Sequence, residues 1–92
     1  MLPIEWKKAA RLDVVEIMDY IALRNSQAAN TLYERIEESL ALASDHPYMF
    51  KRSERMAGMR EIVVYPNYLV FYQVSSRAIE VTGVIHARRD YP

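Results

Sequence analysis

The sequence predicts an α+β domain of order β-α-α-β-β-β, with an antiparallel helical hairpin packed on a mainly antiparallel four-stranded sheet. Three observations predict it. Apolar residues recur at helical spacing up to about residue 46, and runs rich in β-branched and aromatic residues follow residue 58. The stretch between these two regions is polar and basic, so it reads as a loop. The chain has 92 residues, of which 51% are hydrophobic and 26% charged. That is the mix of a soluble globular protein, and single cores usually run to roughly 100–150 residues, so 1–92 is read as one domain.

Each element has its own signal. Ile4 and Trp6 make a short strand, and Pro3 confines it to an edge or a strand start because proline cannot donate to a ladder. From Lys8 to about Arg24, Ala10, Val14, Ile17 and Ile21 recur at steps of four, three and four. Leu12, Val15 and Met18 recur at steps of three, with Arg11, Asp13, Glu16 and Asp19 between them, which gives an amphipathic helix with a broad apolar face. Asn25-Ser26 supplies a break and an N-cap for a second helix, whose core stripe is Ala29, Leu32, Ile36, Leu40 and Ala43. This helix ends near Asp45-His46-Pro47, because helix is disfavoured in the residue before proline. So short a connection between the helices makes them antiparallel.

Residues 49–58 form the loop, with Lys51, Arg52 and Arg55 and two methionines. Three strands follow at 59–65, 68–75 and 79–86, and short turns at Pro66-Asn67 and at residues 75–78 join them as an antiparallel meander. In the middle run Leu69, Phe71 and Gln73 alternate with Val70, Tyr72 and Val74, so both faces are largely apolar, as in a central strand.

Several chemistries are excluded. With no cysteine there is no disulfide framework, thiolate nucleophile or thiolate zinc site. The only glycines, Gly58 and Gly83, make no phosphate-cradling loop. His46 and His86 lie far apart, with no carboxylate–histidine spacing of a metal site, and nothing resembles a serine nucleophile elbow. Neither cofactor nor metal is expected. No apolar run approaches the roughly 18 residues of a membrane span. Met1-Leu2-Pro3-Ile4-Glu5-Trp6-Lys7-Lys8 carries no signal-peptide pattern, so a cytoplasmic protein without membrane contact is expected.

The formal charge is zero, but residues 1–48 hold five Lys/Arg against eight Asp/Glu, and residues 49–92 hold seven against four. This is either an acidic body with a basic working face or ordinary scatter. The second half gathers Lys51, Arg52, Arg55, Arg60, Arg77, His86, Arg88 and Arg89 with Tyr65, Tyr68, Tyr72 and Tyr91. Guanidinium groups bind phosphates bidentately, tyrosines stack on bases, and histidine moves protons near neutral pH. Such a set fits metal-free RNA cleavage, with cations stabilising the phosphorane. It fits docking on another protein equally, since Arg, Tyr and Met are favoured at interface centres. Bland readings stand beside these: an Arg60–Glu61 ion pair, a surface His86, Tyr68 and Tyr72 packed on the sheet, and Arg88-Arg89 in a solvated tail.

The short strand ending in Trp6, the hairpin, Gly58-Met59-Arg60-Glu61, Tyr68-Leu69-Val70-Phe71-Tyr72-Gln73-Val74 and Val84-Ile85-His86-Ala87-Arg88-Arg89-Asp90 together resemble the RelE/ParE superfamily of bacterial toxins. The resemblance covers nearly the whole chain. It implies the toxin half of a type II toxin–antitoxin pair, silenced when a small antitoxin wraps around it. RelE-like members cut mRNA on the ribosome, and ParE-like members inhibit DNA gyrase. The strand where RelE-like toxins carry catalytic lysines reads Glu61-Ile62-Val63-Val64-Tyr65 here, and Tyr68 stands in place of an arginine usual in the next strand. Only Arg88, and loosely His86 and Tyr91, fall where that branch keeps functional residues.

The hairpin and the His86-Ala87-Arg88-Arg89-Asp90 ending look like ParE-type toxins, so the resemblance implies gyrase as the target. The alternatives are a ribosome-dependent mRNA endoribonuclease and a non-toxic binding module. Target-binding or catalytic candidates are Arg88, Arg89, His86, Arg60 and Tyr91. The antitoxin is expected to lay an amphipathic helix along the hairpin, over Met18, Ile21, Leu32 and Ile36, unless those residues are core. An extended acidic stretch then joins a sheet edge and meets Arg55, Arg60 or Arg88, close to an apolar sheet surface that includes Tyr72. DNA is reached only indirectly, through the antitoxin complex.

Overall fold

Six elements are seen in a computed structural model, which describes residues 1–88. They are β1 (Ile4–Trp6), α1 (Lys8–Ala22), α2 (Ser26–Asp45), β2 (Arg60–Val64), β3 (Tyr68–Val74) and β4 (Ile79–His86). The strands lie in the order β1-β4-β3-β2. β1 runs parallel to β4, and the β4–β3 and β3–β2 pairs are antiparallel. The expected α+β architecture is therefore the observed one.

The helix ends follow their caps. Asn25 accepts a hydrogen bond from the Ala28 N–H at 3.0 Å, so the predicted N-cap starts α2. α1 stops at Ala22, short of Arg24, because the Arg24 and Asn25 N–H groups both turn back to the Ile21 carbonyl, at 3.0 and 2.8 Å. The core lies between hairpin and sheet. Val14, Leu32, Ile36 and Leu40 from the helices meet Ile62, Val64, Tyr68, Val70, Tyr72, Ile79, Val81 and Val84 from the strands.

β3 is buried on both faces, as its sequence requires. Its helix-facing residues are Tyr68, Val70 and Tyr72, while Leu69 and Phe71 are buried on the opposite side. The loop before β2 folds back on that side: Ser53 donates to Glu61 at 2.8 Å, and the Thr82 hydroxyl reaches the Met59 sulfur at 3.4 Å.

Between β3 and β4 the register slips, with Phe71 opposite Gly83 but Tyr72 opposite Val81. The extra residue, Thr82, is a bulge. It reverses the alternation, so that Ile79 and Val81 before it and Val84 after it all enter the core. Among the described residues no helix is long and apolar enough to cross a membrane.

Candidate functional site

The first cluster of predicted residues lies where β2 begins. Arg60 pairs with Tyr72 across the sheet and with Arg52 through an isolated antiparallel bridge. Its guanidinium donates to the Phe50 carbonyl at 2.7 Å and sits over the Tyr48 ring, 5.0 Å from the centroid. The Tyr72 hydroxyl donates to the Pro47 carbonyl at 2.7 Å, and the Phe50 ring meets Tyr72 edge-on at 6.3 Å. Burial pushes the Tyr72 phenol pKa up, and the nearby Arg60 charge opposes that rise. Arg60 and Tyr72 thus clamp residues 47–50 to the sheet and leave Tyr48 and Met49 exposed.

Two expectations are corrected here. Arg60 and Glu61 do not pair, because neighbours in a strand point to opposite faces. Glu61 binds Lys51 at 3.4 Å and Ser53 instead. Tyr72 is fully buried and forms no exposed surface for a partner. A cleft of about 370 Å³ opens beside this clamp, with Tyr48, Arg52, Ser53, Met59, Arg60 and Gln73 in its walls.

The second cluster is at the far end of β4. The His86 ring stands edge-on to Tyr68 at 5.0 Å, and its Nδ1 accepts from the Arg88 N–H at 3.1 Å. Together with Asp13, Glu16 and Tyr20 from α1, these rings border a cleft of about 340 Å³. Arg88 is exposed. Arg89 and Tyr91 lie outside the described residues.

The two clusters are not one site. His86 is opposite Tyr68 and Arg60 is opposite Tyr72, so they flank opposite ends of β3. Four steps along β3, from Tyr68 to Tyr72, separate the two positions by roughly 13 Å at about 3.3 Å per residue. Arg55 is exposed on the loop at the Arg60 end.

The hairpin residues divide in the same way. Leu32 and Ile36 are 3% and 0% exposed, so they are internal core. Met18 and Ile21 are half-buried against that core. The apolar surface that remains open is a different one: Leu12 and Val15, each 54% exposed, and Tyr33 across the hairpin. Val15 and Tyr33 share a groove with Trp6 and Arg11. The signal was present, since α1 carries two apolar stripes: Ala10-Val14-Ile17-Ile21 turns toward the core, and of Leu12-Val15-Met18 only Met18 reaches it. Tyr48 and Arg52 were also missed as cleft residues; their pairing with Arg60 is made by a loop that has no periodicity to read.

A family model described as the ParE toxin of the type II toxin–antitoxin system parDE matches residues 4–91. Toxin RelE2 of Caulobacter vibrioides is 27% identical over 89 residues, spanning 97% of this chain and 99% of that protein. Among solved structures, the chromosomal ParDE TA system of P. aeruginosa aligns with a TM-score of 0.78 at 18% identity, over 96% of this chain and 98% of the other. At that identity the likeness concerns the fold alone.

Proposed function

Because the chain belongs to the ParE toxin family of type II toxin–antitoxin systems, we propose that it arrests growth by docking on DNA gyrase and that a cognate antitoxin silences it. The observation that carries the choice of target is the sheet face turned away from the helices. On β2 and β3 that face bears Glu61, Val63, Leu69 and Phe71. Cleaving a phosphodiester requires cations on the phosphate and a positioned acid and base. That face offers one carboxylate, already held by Lys51 and Ser53, with no second acid or base beside it on β2 or β3, and Arg60 and His86 stand at opposite ends of β3. Docking needs no such convergence. His86 and Arg88, with Arg89 and Tyr91 after them in sequence, are its target-facing candidates, and the protein acts in the cytoplasm beside its target.

The antitoxin reading takes its surfaces from the same structure. An amphipathic helix fits the Leu12–Val15–Tyr33 side of the hairpin, and β2 is an edge strand to which an extended segment can add. Contact with DNA comes through that complex.

Mechanistic assays decide the target. Purified toxin should inhibit gyrase supercoiling or trap its cleavage complex, and leave ribosome-bound mRNA intact. The second reading, mRNA cleavage on the ribosome, has one observation in its favour: His86, Tyr68 and Arg88 stand together, and these are residue types of metal-free RNA cleavage. Codon-specific cuts with gyrase untouched would establish it. Expression without growth arrest would leave a binding module.

A further inference from the structure

Directly opposed residues of an antiparallel pair project from the same face of the sheet, and like charges placed so repel. Arg52 and Arg60 are such a pair, and both line the 370 Å³ cleft. Of the carboxylates nearest in sequence, Glu54 makes no ion pair among the described residues, and Glu61 belongs to the other face and is held there by Lys51 and Ser53. Among the described residues neither arginine makes an ion pair. We propose that this cleft is an anion socket, which receives the carboxylate of an acidic side chain from the antitoxin. The proposal rests on the antitoxin reading above and names the chemistry of its contact.

Three features fit that occupant. The Arg60 guanidinium is fixed before binding, by its bond to the Phe50 carbonyl and by the Tyr48 ring beneath it, so little ordering cost remains. Arg52 is exposed and makes no side-chain hydrogen bond among the described residues, so its planar fork is available for a bidentate carboxylate. The third feature is position. Residues 51–53 cover the outer edge of β2 at its start, through the Glu61 N–H to the Lys51 carbonyl at 3.0 Å, and the bridge between Arg52 and Arg60. The edge beyond, at residues 62–64, has no strand on its outer side. A segment added there would end against the socket.

A nucleic-acid strand fits less well. Such grooves stack successive bases on several exposed rings along a basic track. Here Tyr48 is the one ring in the cleft wall, one of its faces is taken by Arg60, and Gln73 beside it is bound to Glu80.

The test uses the full chain and the Arg52→Gln variant, with Arg77→Gln, in the exposed β3–β4 turn, as a control. On the proposed function an antitoxin is encoded by an adjoining reading frame, and binding of the protein encoded there is measured by calorimetry. Arg52→Gln should weaken it by about ten- to a hundredfold, the range for a lost charge-assisted hydrogen bond, and Arg77→Gln should not. In parallel, the arginine Nε–H resonances are followed by NMR during titration with hexaglutamate and with hexauridylate. Hexaglutamate should shift the Arg52 and Arg60 signals in the wild type, and the Arg60 response should vanish in Arg52→Gln. Unchanged antitoxin affinity in Arg52→Gln, or equal losses in both variants, would overturn the socket while leaving the antitoxin reading in place. A response to hexauridylate alone would assign the cleft to RNA and end the proposal. If the adjoining protein binds neither wild type nor variant, the antitoxin reading fails and the socket as an antitoxin contact fails with it. The hexaglutamate titration then shows separately whether the cleft takes carboxylates.

Discussion

Asp13, midway along α1, accepts a hydrogen bond from the backbone N–H of Val84 at 3.0 Å, and so ties the first helix to the bulged part of β4. β1 pairs with β4 only as far as Val81, so no strand lies beside β4 where the Val84 N–H points. A helix carboxylate satisfies that donor instead, 71 residues away in sequence.

That contact predicts an ordered pair of variants. Asp13→Ala leaves the N–H of the buried Val84 without this partner and should cost about 1–3 kcal/mol. Asp13→Asn keeps an acceptor oxygen and should cost distinctly less. Urea denaturation measures both, and identical losses would mean that packing, not the hydrogen bond, is what Asp13 provides.

The two glycines should answer alanine with opposite signs. Gly58, in the turn into β2, has φ +80°, with nothing within 4 Å of an added Cβ, so the cost there is backbone strain of about 1–2 kcal/mol. Gly83 has no such φ. Its added Cβ would meet Asp13 Oδ2 at 3.5 Å and Phe71 at 3.9 Å, both ordinary contacts. Gly83→Ala should be neutral or stabilise by up to about 1 kcal/mol, because glycine loses more freedom on folding. Thermal melts of the two variants check the sign difference directly.

The fold was legible because its determinants are local. The 3.6-residue period of α2, the Asn25 cap and the two-sided apolar pattern of 68–74 each fix an element without reference to the rest of the chain. The sites were legible only in part, since they depend on non-local register. The Thr82 bulge, invisible in an apolar run, decides which β4 residues face the helices. The position of Arg60 against Tyr72, and not against His86, is set by how β2 pairs. Residue type alone groups Arg60 with His86, and it carries no information about which end of a strand a side chain occupies. On α1 the sequence showed more apolar residues than one face can bury, and only packing selects Ile17 and Ile21 over Leu12 and Val15.

Glu80 makes the stability of the β3–β4 pair depend on acid. Its carboxyl pKa is lowered first by the hydrogen bond from Gln73, at 2.8 Å, and then by Lys7 at 3.9 Å, with Ser75 and Arg77 adding to these against the opposing effect of burial. A carboxyl depressed on folding stabilises the protein above its unfolded-state pKa, about 4.3 for glutamate. That contribution is lost as pH falls through the lower folded-state value. Glu80→Gln should therefore melt below the wild type near neutral pH. The gap should begin to close below about pH 5 and vanish once the wild-type carboxyl is protonated. A gap that is constant from neutral pH into strong acid would show that the charge of Glu80 contributes nothing.

The open stripe on α1 gives the sharpest test of antitoxin docking. Leu12 and Val15 are each 54% exposed, so glutamate at either position keeps a helix-compatible side chain and disturbs little of the core. If an amphipathic antitoxin helix covers them, burying a carboxylate in that contact without a partner should weaken binding by about 1–3 kcal/mol per site, or roughly five- to 150-fold. The free toxin should keep its melting temperature within a few degrees, and the variants should keep their toxicity, because the proposed target-facing residues lie on β4 and beyond. Calorimetry with the antitoxin, beside growth assays with and without its co-expression, separates the outcomes. Variants that remain toxic but escape neutralisation place the antitoxin helix on Leu12 and Val15. Full neutralisation of the Leu12→Glu/Val15→Glu double variant would move the helix off this face of the hairpin, and the half-buried rim at Met18 and Ile21 would then be the next surface to test.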